Sequence, residues 1–192
     1  MENLLVIAVG AIFVNNFVLS RFLGLCPFFG VSRKTSGALG MGLAVIIVMT
    51  CASAITWPIY TYLLRPFNIE FMEIVTFILV IATFVQLIEM VIRKYQPDLY
   101  GVLGIYLPLI TTNCAIMGVA LLNVEENYSF IGSVVNGFAA GIGFTLALLL
   151  MSGIRERLEF ADVPKSFQDL PIAFVSAALL ALAFMAFSGM RL

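Results

Sequence analysis

Leu25-Cys26-Pro27-Phe28-Phe29-Gly30-Val31 and Asn113-Cys114-Ala115-Ile116-Met117-Gly118-Val119 write the same Cys-x-x-x-Gly-Val twice, with the cysteines 88 residues apart (26 to 114). One copy falls in each half of a very apolar chain. A thiolate is a soft ligand for metals and clusters, and two of them placed equivalently by an internal repeat converge near a pseudo-symmetry axis. The plainer alternative is a pair of buried cysteines that pack as small hydrophobes.

The surrounding composition decides the class. The chain of 192 residues is 62% hydrophobic and 11% charged, contains no histidine, and has a mean hydropathy of +1.09. Such values belong to an integral membrane protein. A membrane-crossing helix needs roughly 20 mainly apolar residues, and six stretches qualify, near 4–22, 38–64, 71–92, 99–122, 130–154 and 171–190. The expected fold is therefore all-α with six transmembrane helices and one membrane domain over 1–192. No soluble catalytic domain fits in what remains, so the chain carries no complete catalytic site and nucleotide or flavin chemistry has to come from partners. Glu2 replaces a basic signal-peptide start and no small-residue cleavage site follows, so the first helix is expected to be retained. Three cysteines without secreted-domain spacing suggest no disulfide framework, and the lack of histidine argues against imidazole-bound haem and the commonest zinc sites.

With six alternating helices, the loops after the first, third and fifth share one side. Arg21, Arg33, Lys34, Arg93, Lys94, Arg155, Arg157 and Lys165 fall there, against Arg65 and Arg191 opposite. This asymmetry makes that side cytoplasmic and puts both termini and the Glu125-Glu126 turn on the other. Three helices per half also force the halves, 1–94 and 97–192, into opposite orientations: an inverted-topology 3+3 repeat. In such repeats helices break near the axis and freed backbone lines a buried site. Gly24, Pro27 and Gly30 around Cys26, and Pro108 and Gly118 around Cys114, supply the breakers, so helices one and four are expected to be broken. Leu4 to Val31 as one straight helix would span about 42 Å, against a hydrocarbon core of about 30 Å. Cys26 is accordingly expected in a non-helical stretch that folds back toward the membrane interior, the alternative being that Pro27 marks an ordinary exit loop. Gly40-x-x-x-Ala44 and Gly137-x-x-x-Gly141 are expected to allow close helix contact.

An iron-sulfur cluster normally takes four thiolates. Only Cys26 and Cys114 share a motif, so the expected metal site is half of one, completed by two thiolates from a related subunit. Structural zinc has the same geometry but no evident role in a bilayer. Cys51, mid-helix and without a counterpart, reads as packing. Thr111, Thr112 and Asn113 can donate toward sulfur or satisfy backbone freed by Pro108, the alternative being interhelical hydrogen bonds unrelated to any cofactor; Thr112 and Asn113 are the candidate cofactor-binding neighbours. Asn15 and Asn16 inside an apolar run, and Glu89 in the third helix, are the candidate ion-pathway residues, with a Glu89/Arg93 i,i+4 pair as the alternative for Glu89. The mixed-sign segment Arg155 to Asp169 reads as an interfacial helix that docks a peripheral subunit or as a solvated loop.

Val14-Asn15-Asn16-Phe17, Phe22-Leu23-Gly24-Leu25-Cys26-Pro27-Phe28, Leu107 to Ala115 (LPLITTNCA), and Ile154-Arg155-Glu156-Arg157 through Ala161-Asp162-Val163-Pro164 closely resemble the A subunits of Rnf complexes, in the RnfA/NqrE family. The resemblance runs from residue 2 to Phe187-Ser188-Gly189. It implies a non-autonomous subunit of an ion-translocating ferredoxin:NAD oxidoreductase in a bacterial or archaeal cytoplasmic (inner) membrane, beside Rnf subunits B, C, D, E and G. It further implies that Cys26 and Cys114 hold half of an intramembrane iron-sulfur cluster, preferably 2Fe-2S, shared with the homologous E subunit. Flavins and NAD would sit only on other subunits, the lipid bilayer is the other partner, and no nucleic acid is involved. On this reading the subunit relays electrons across the bilayer, and a change of cluster charge alters its packing to open a path for sodium or protons. The E subunit of the sodium-pumping NADH:quinone reductase is the nearest rival, although its pattern differs at Asn15-Asn16-Phe17 and Cys26-Pro27-Phe28. A small inverted-repeat secondary transporter and a structural scaffold are the other classes. A transporter calls for more polar or ionisable mid-membrane residues than this sequence offers.

Overall fold

The computed structural model describes residues 4–95, 107–164 and 167–188. Glu2, the opening of the fourth expected span (99–106), the cations Lys165 and Arg191, and residues 189–190 of the sixth span lie outside the described residues. Within them every regular element is helical and no strand occurs. In chain order these are α1 (Leu4–Val9), continued by a π turn (Gly10–Val14); α2 (Leu25–Val31); α3 (Thr35–Ile59), continued by a π turn (Tyr60–Leu64); α4 (Glu73–Tyr95), led in by a 3-10 turn (Glu70–Met72); α5 (Leu107–Thr111); α6 (Cys114–Glu125); α7 (Phe130–Leu158); and α8 (Leu170–Ser188).

Four helical stretches among the described residues are long and apolar enough to cross a membrane: Thr35–Leu64, Glu70–Tyr95, Pro108–Glu125 and Phe130–Leu158. The apolar helices Leu4–Val14 and Leu170–Ala186 are shorter. The first expected span is short for a physical reason. Leu4–Val14 rises about 16 Å, half of a hydrocarbon core, and ends where Asn16 turns its amide onto the backbone. Asn16 Nδ2 donates to the carbonyls of Ile12 (3.2 Å) and Gly143 (2.8 Å), and its Oδ1 accepts from the N–H groups of Val18 (3.1 Å) and Leu19 (3.3 Å). One fully buried side chain thus satisfies donors that the interrupted helix leaves orphaned. Residues 15–24 then make an excursion that leaves beside Gly143 and returns with Gly24 against the ring of Phe144.

The prolines act differently from the sequence-based expectation. Pro27 and Pro108 lie in the first turns of α2 and α5, where an amide N–H lacks a helical partner anyway, so they start helices instead of breaking them. The breaks fall at Asn15–Gly24 and at Thr112–Asn113.

α3 and α7 form the centre. Gly137 faces Ser53 and the Met49 carbonyl, a Cβ on Gly141 would meet Ile46 Cα at 2.7 Å, and Gly42 faces Thr145. Removing side chains lets the two backbones meet, which replaces the hydrophobic drive missing between helices in lipid. The α3 stripe is Gly42, Ile46, Met49 and Ser53, not the expected Gly40/Ala44: Gly40 has nothing within 4 Å. Gly40 and Gly42 are two residues apart, about 200° around the helix, so only one of them can face α7. The outer faces of α4 and α8 expose Ile78, Leu79, Leu87, Leu179 and Leu182, as a bilayer or a neighbouring protein requires.

The two ends differ chemically. At one, Trp57 Nε1 donates to the Tyr128 carbonyl (2.8 Å) and its ring meets Phe130 and Tyr62 edge-on, an aromatic cluster of the kind that sits at headgroup level. At the other, the Glu156 carboxylate accepts from the Thr35 N–H (2.9 Å) and hydroxyl, and Arg155 Nη1 donates to the Phe29 carbonyl (2.8 Å) and to Ser32 Oγ (3.0 Å). Beyond Leu158 the described part of the Arg155–Asp169 segment is turn and irregular chain, apart from Phe167 in a 3-10 turn.

Candidate functional site

Both motif cysteines follow a break directly. Gly24, at φ +80°, reverses the chain and sets Cys26 in the first turn of α2. Asn113 caps α6, its Oδ1 accepting from the Ala115 N–H (3.1 Å), and Cys114 is the next residue. The expectation of a non-helical Cys26 is therefore corrected by about two residues: the irregular chain ends at Gly24, because a left-handed glycine frees the following residues to begin a helix.

The two breaks touch. A Cβ on Gly24 would stand 3.0 Å from both Asn113 Oδ1 and Ala115 Cβ, so the backbone just before Cys26 is pressed against the residues that flank Cys114. The contact extends on either side. Leu23 packs into the space over Gly118, and Leu109 approaches Gly30, so each motif glycine receives a leucine from the other motif's neighbourhood. The missing side chain matters for this seat at Gly118, where a Cβ would meet Leu23 Cδ1 at 2.6 Å; at Gly30 Leu109 lies at ordinary contact distance, 3.8 Å.

Cys26 and Cys114 are free and exposed, whereas Cys51 is half-buried in α3. No third histidine, cysteine or carboxylate joins them into a metal-holding group among the described residues. Two exposed thiols on touching segments therefore suit a soft metal or cluster only as a partial ligand set. Asn113 adds a donor: its Nδ2 is buried and without a hydrogen-bond partner among the described residues. The Thr112 hydroxyl donates to the Pro108 carbonyl (3.1 Å), so in this chain it serves the backbone of α5.

The ion-pathway candidates separate. Asn16 is committed to the break, as described above. Asn15 is exposed and lines an open cavity of about 250 Å³ with Arg21, Glu126, Tyr128 and Asn136. Glu89 is half-buried on α4, outside that cavity. Arg21 corrects the charge count: the excursion carries it to the cavity of Glu126, which the sequence puts on the opposite side.

Asn123 and Asn136 were missed. Asn136 Nδ2 donates to Asn123 Oδ1 (2.8 Å) behind the cavity, both side chains being buried. Their signal is the same as that of Asn15 and Asn16, an amide inside an apolar run. Mid-chain polarity is also richer than the sequence reading allowed: Asn16, Ser53, Thr56, Asn113, Asn123, Ser133 and Asn136 are all buried, and none is ionisable.

A family model described as "Rnf-Nqr subunit, membrane protein" matches residues 4–191. The A subunit of the ion-translocating oxidoreductase complex of Syntrophotalea carbinolica is 56% identical over 190 residues, covering 99% of this chain and 98% of that protein. The A subunit of the Na(+)-translocating ferredoxin:NAD(+) oxidoreductase complex of Acetobacterium woodii is 55% identical, covering 99% of each. The corresponding ion-translocating oxidoreductase protein of Azoarcus sp. is 55% identical over the same length, covering 99% of this chain and 98% of its own.

Proposed function

The chain belongs to the Rnf-Nqr family of membrane-protein subunits, and from that premise we propose that it is the A subunit of a membrane complex that couples electron transfer between ferredoxin and NAD to the translocation of sodium or protons. Near-complete coverage of relatives carrying the A-subunit name supports this over the E subunit of the quinone reductase. In this reading six helices form an inverted 3+3 repeat, 1–94 and 97–192, in the cytoplasmic membrane with both termini outside. The partners are the complex's B, C, D, E and G subunits.

Cys26 and Cys114 supply two thiolates to an iron-sulfur cluster, with 2Fe-2S preferred, completed by a homologous E-type subunit. The observation that carries this is the pairing of the breaks: two free, exposed thiols, each in the first turn of a helix, on segments that touch through Gly24, Asn113 and Ala115. Such a cluster supplies a one-electron redox site at low dielectric. The chain's own residues hold the thiolates, and the Asn113 amide offers a hydrogen bond that stabilises the more negative state. A change of charge beside two backbone breaks biases how those breaks pack, which is the basis for coupling to ion movement.

The test is single replacement of Cys26 and Cys114 by serine in the purified complex, with iron content, the EPR signal and ferredoxin-linked electron transfer measured. Loss of one cluster's iron and signal in each variant is expected. Unchanged iron and activity in both would sink the assignment, and iron loss on Cys51→Ser would move it.

A further inference from the structure

The charged end of the molecule holds a second open cleft, of about 460 Å³, between the turn after α2, the end of α7 and the start of α8. Arg33, Lys34 and Arg155 line it, against the carboxylates of Glu159 and Asp169. Asp169 is already engaged, its Oδ1 lying 3.0 Å from Arg33 Nη2. Arg155 is anchored through Nη1 to Phe29 and Ser32, so its position is fixed before any ligand arrives. Lys34 has no carboxylate within ion-pair distance among the described residues. A cleft whose described lining carries one excess positive charge and one preplaced guanidinium is suited to a singly charged anion.

Its other wall and its setting narrow the class of anion. Leu158 and Ile172 line the cleft at the points where the apolar spans of α7 and α8 end and begin. Beside it the turn exposes Phe160 at 92%, Phe167 at 50% and Leu170 at 52%. Large apolar side chains standing out at the end of a span belong at the level where headgroups meet acyl chains. Basic clefts between helices at that level hold lipid headgroups, with the acyl chains running down the adjoining apolar surface.

We infer that this cleft binds the phosphodiester headgroup of an anionic phospholipid, with Lys34 and Arg155 as the phosphate contacts and Asp169 holding Arg33 at the rim. The inference does not depend on the cysteine site. Free inorganic phosphate shares the ligand chemistry, and an acidic segment of another protein in the complex would use the same charges without the apolar wall.

The intact complex is extracted and placed in phosphatidylcholine nanodiscs containing a small fraction of phosphatidylglycerol, and bound phosphatidylglycerol is counted by native mass spectrometry. Lys34→Gln is expected to lower retention about fivefold, the effect of one cation near an anionic lipid. Asp169→Asn is expected to raise it; asparagine tolerates the left-handed backbone at this position, φ 71°, so folding is preserved. Equal retention in wild type and Lys34→Gln would overturn the inference. Full displacement of phosphatidylglycerol by excess inorganic phosphate would replace it with a free-anion site. Loss of another protein of the complex from Lys34→Gln with lipid unchanged would make the cleft a protein contact.

Discussion

Gly24→Ala concentrates the structural reasoning into one methyl group. At φ +80° an L-residue costs about 1–2 kcal/mol. The added Cβ would also meet Phe144 Cε2 at 2.9 Å, Ala115 Cβ at 3.0 Å and Asn113 Oδ1 at 3.0 Å. None of these is the loose end of a flexible chain: the Phe144 ring is fully buried, Ala115 belongs to the first turn of α6, and Asn113 Oδ1 is bonded to the Ala115 N–H. Overpacking at such a point adds about 1–3 kcal/mol, for a total of about 2–5 kcal/mol. Gly118→Ala is the informative comparison. Its nearest obstacle is closer, Leu23 Cδ1 at 2.6 Å, but that atom is a terminal methyl that rotates away, and the next atoms lie at 3.9 Å. Alanine in a helix interior also recovers up to about 1 kcal/mol over glycine. Thermal unfolding and iron content of the purified complex would be measured for both variants. Gly24→Ala should melt lower and lose iron, and Gly118→Ala should stay near wild type. If Gly24→Ala proved as stable as Gly118→Ala, the left-handed turn and the break-to-break contact would both be wrong.

Three further outcomes follow from the packing. Gly141→Leu should abolish recovery of monodisperse complex on size-exclusion chromatography, because its Cβ points at the Ile46 backbone, while Gly40→Leu, with open space around it, should be tolerated. Asn16→Ala strands the Val18 and Leu19 amides and should destabilise the break by roughly 2–4 kcal/mol, read as faster hydrogen exchange at those two amides. Glu156→Ala should release the start of α3, with faster exchange at Thr35 and Ser36, and Glu156→Gln should restore protection because its Oε1 can still accept from the Thr35 N–H.

The membrane class and the positions of α3, α4, α7 and α8 were legible because long apolar runs bounded by charges leave few other solutions. That helices one and four are interrupted was also legible, since Leu4 to Val31 is too long for a bilayer. Where they break was not. Of the expected breakers Gly24 does lie in a break, at its end, but Pro27, Gly30, Pro108 and Gly118 lie within helices, and the breaks centre where an asparagine can replace lost helical bonds, at Asn16 and Asn113. Whether an amide reaches back to its own backbone depends on a side-chain rotamer and a neighbouring helix, here Gly143 for Asn16, and sequence spacing contains neither. The same limit hid the position of Arg21, whose place is set by an irregular excursion that has no period to read. The cysteine motif was visible as a repetition. The role of its glycine at Gly118 appeared only with the partner Leu23, because contact between segments about 90 residues apart in sequence leaves no local mark.

α3 and α7 are fastened together at three depths: by Glu156 to Thr35, by Gly141 against Ile46, and by Trp57 to Tyr128 at the start of α7. Two rods joined at both ends and in the middle can neither slide nor splay, so they define a fixed frame inside the protein. The interrupted helices are tied to that frame at separate points: the Asn16 amide on Gly143, Gly24 against Phe144, Arg155 on Phe29 and Ser32, and Asn136 on Asn123. Distances measured from probes at the exposed positions Ile47 on α3 and Phe138 on α7 therefore supply the zero line, and any turnover-dependent displacement at the cysteine segments registers against it.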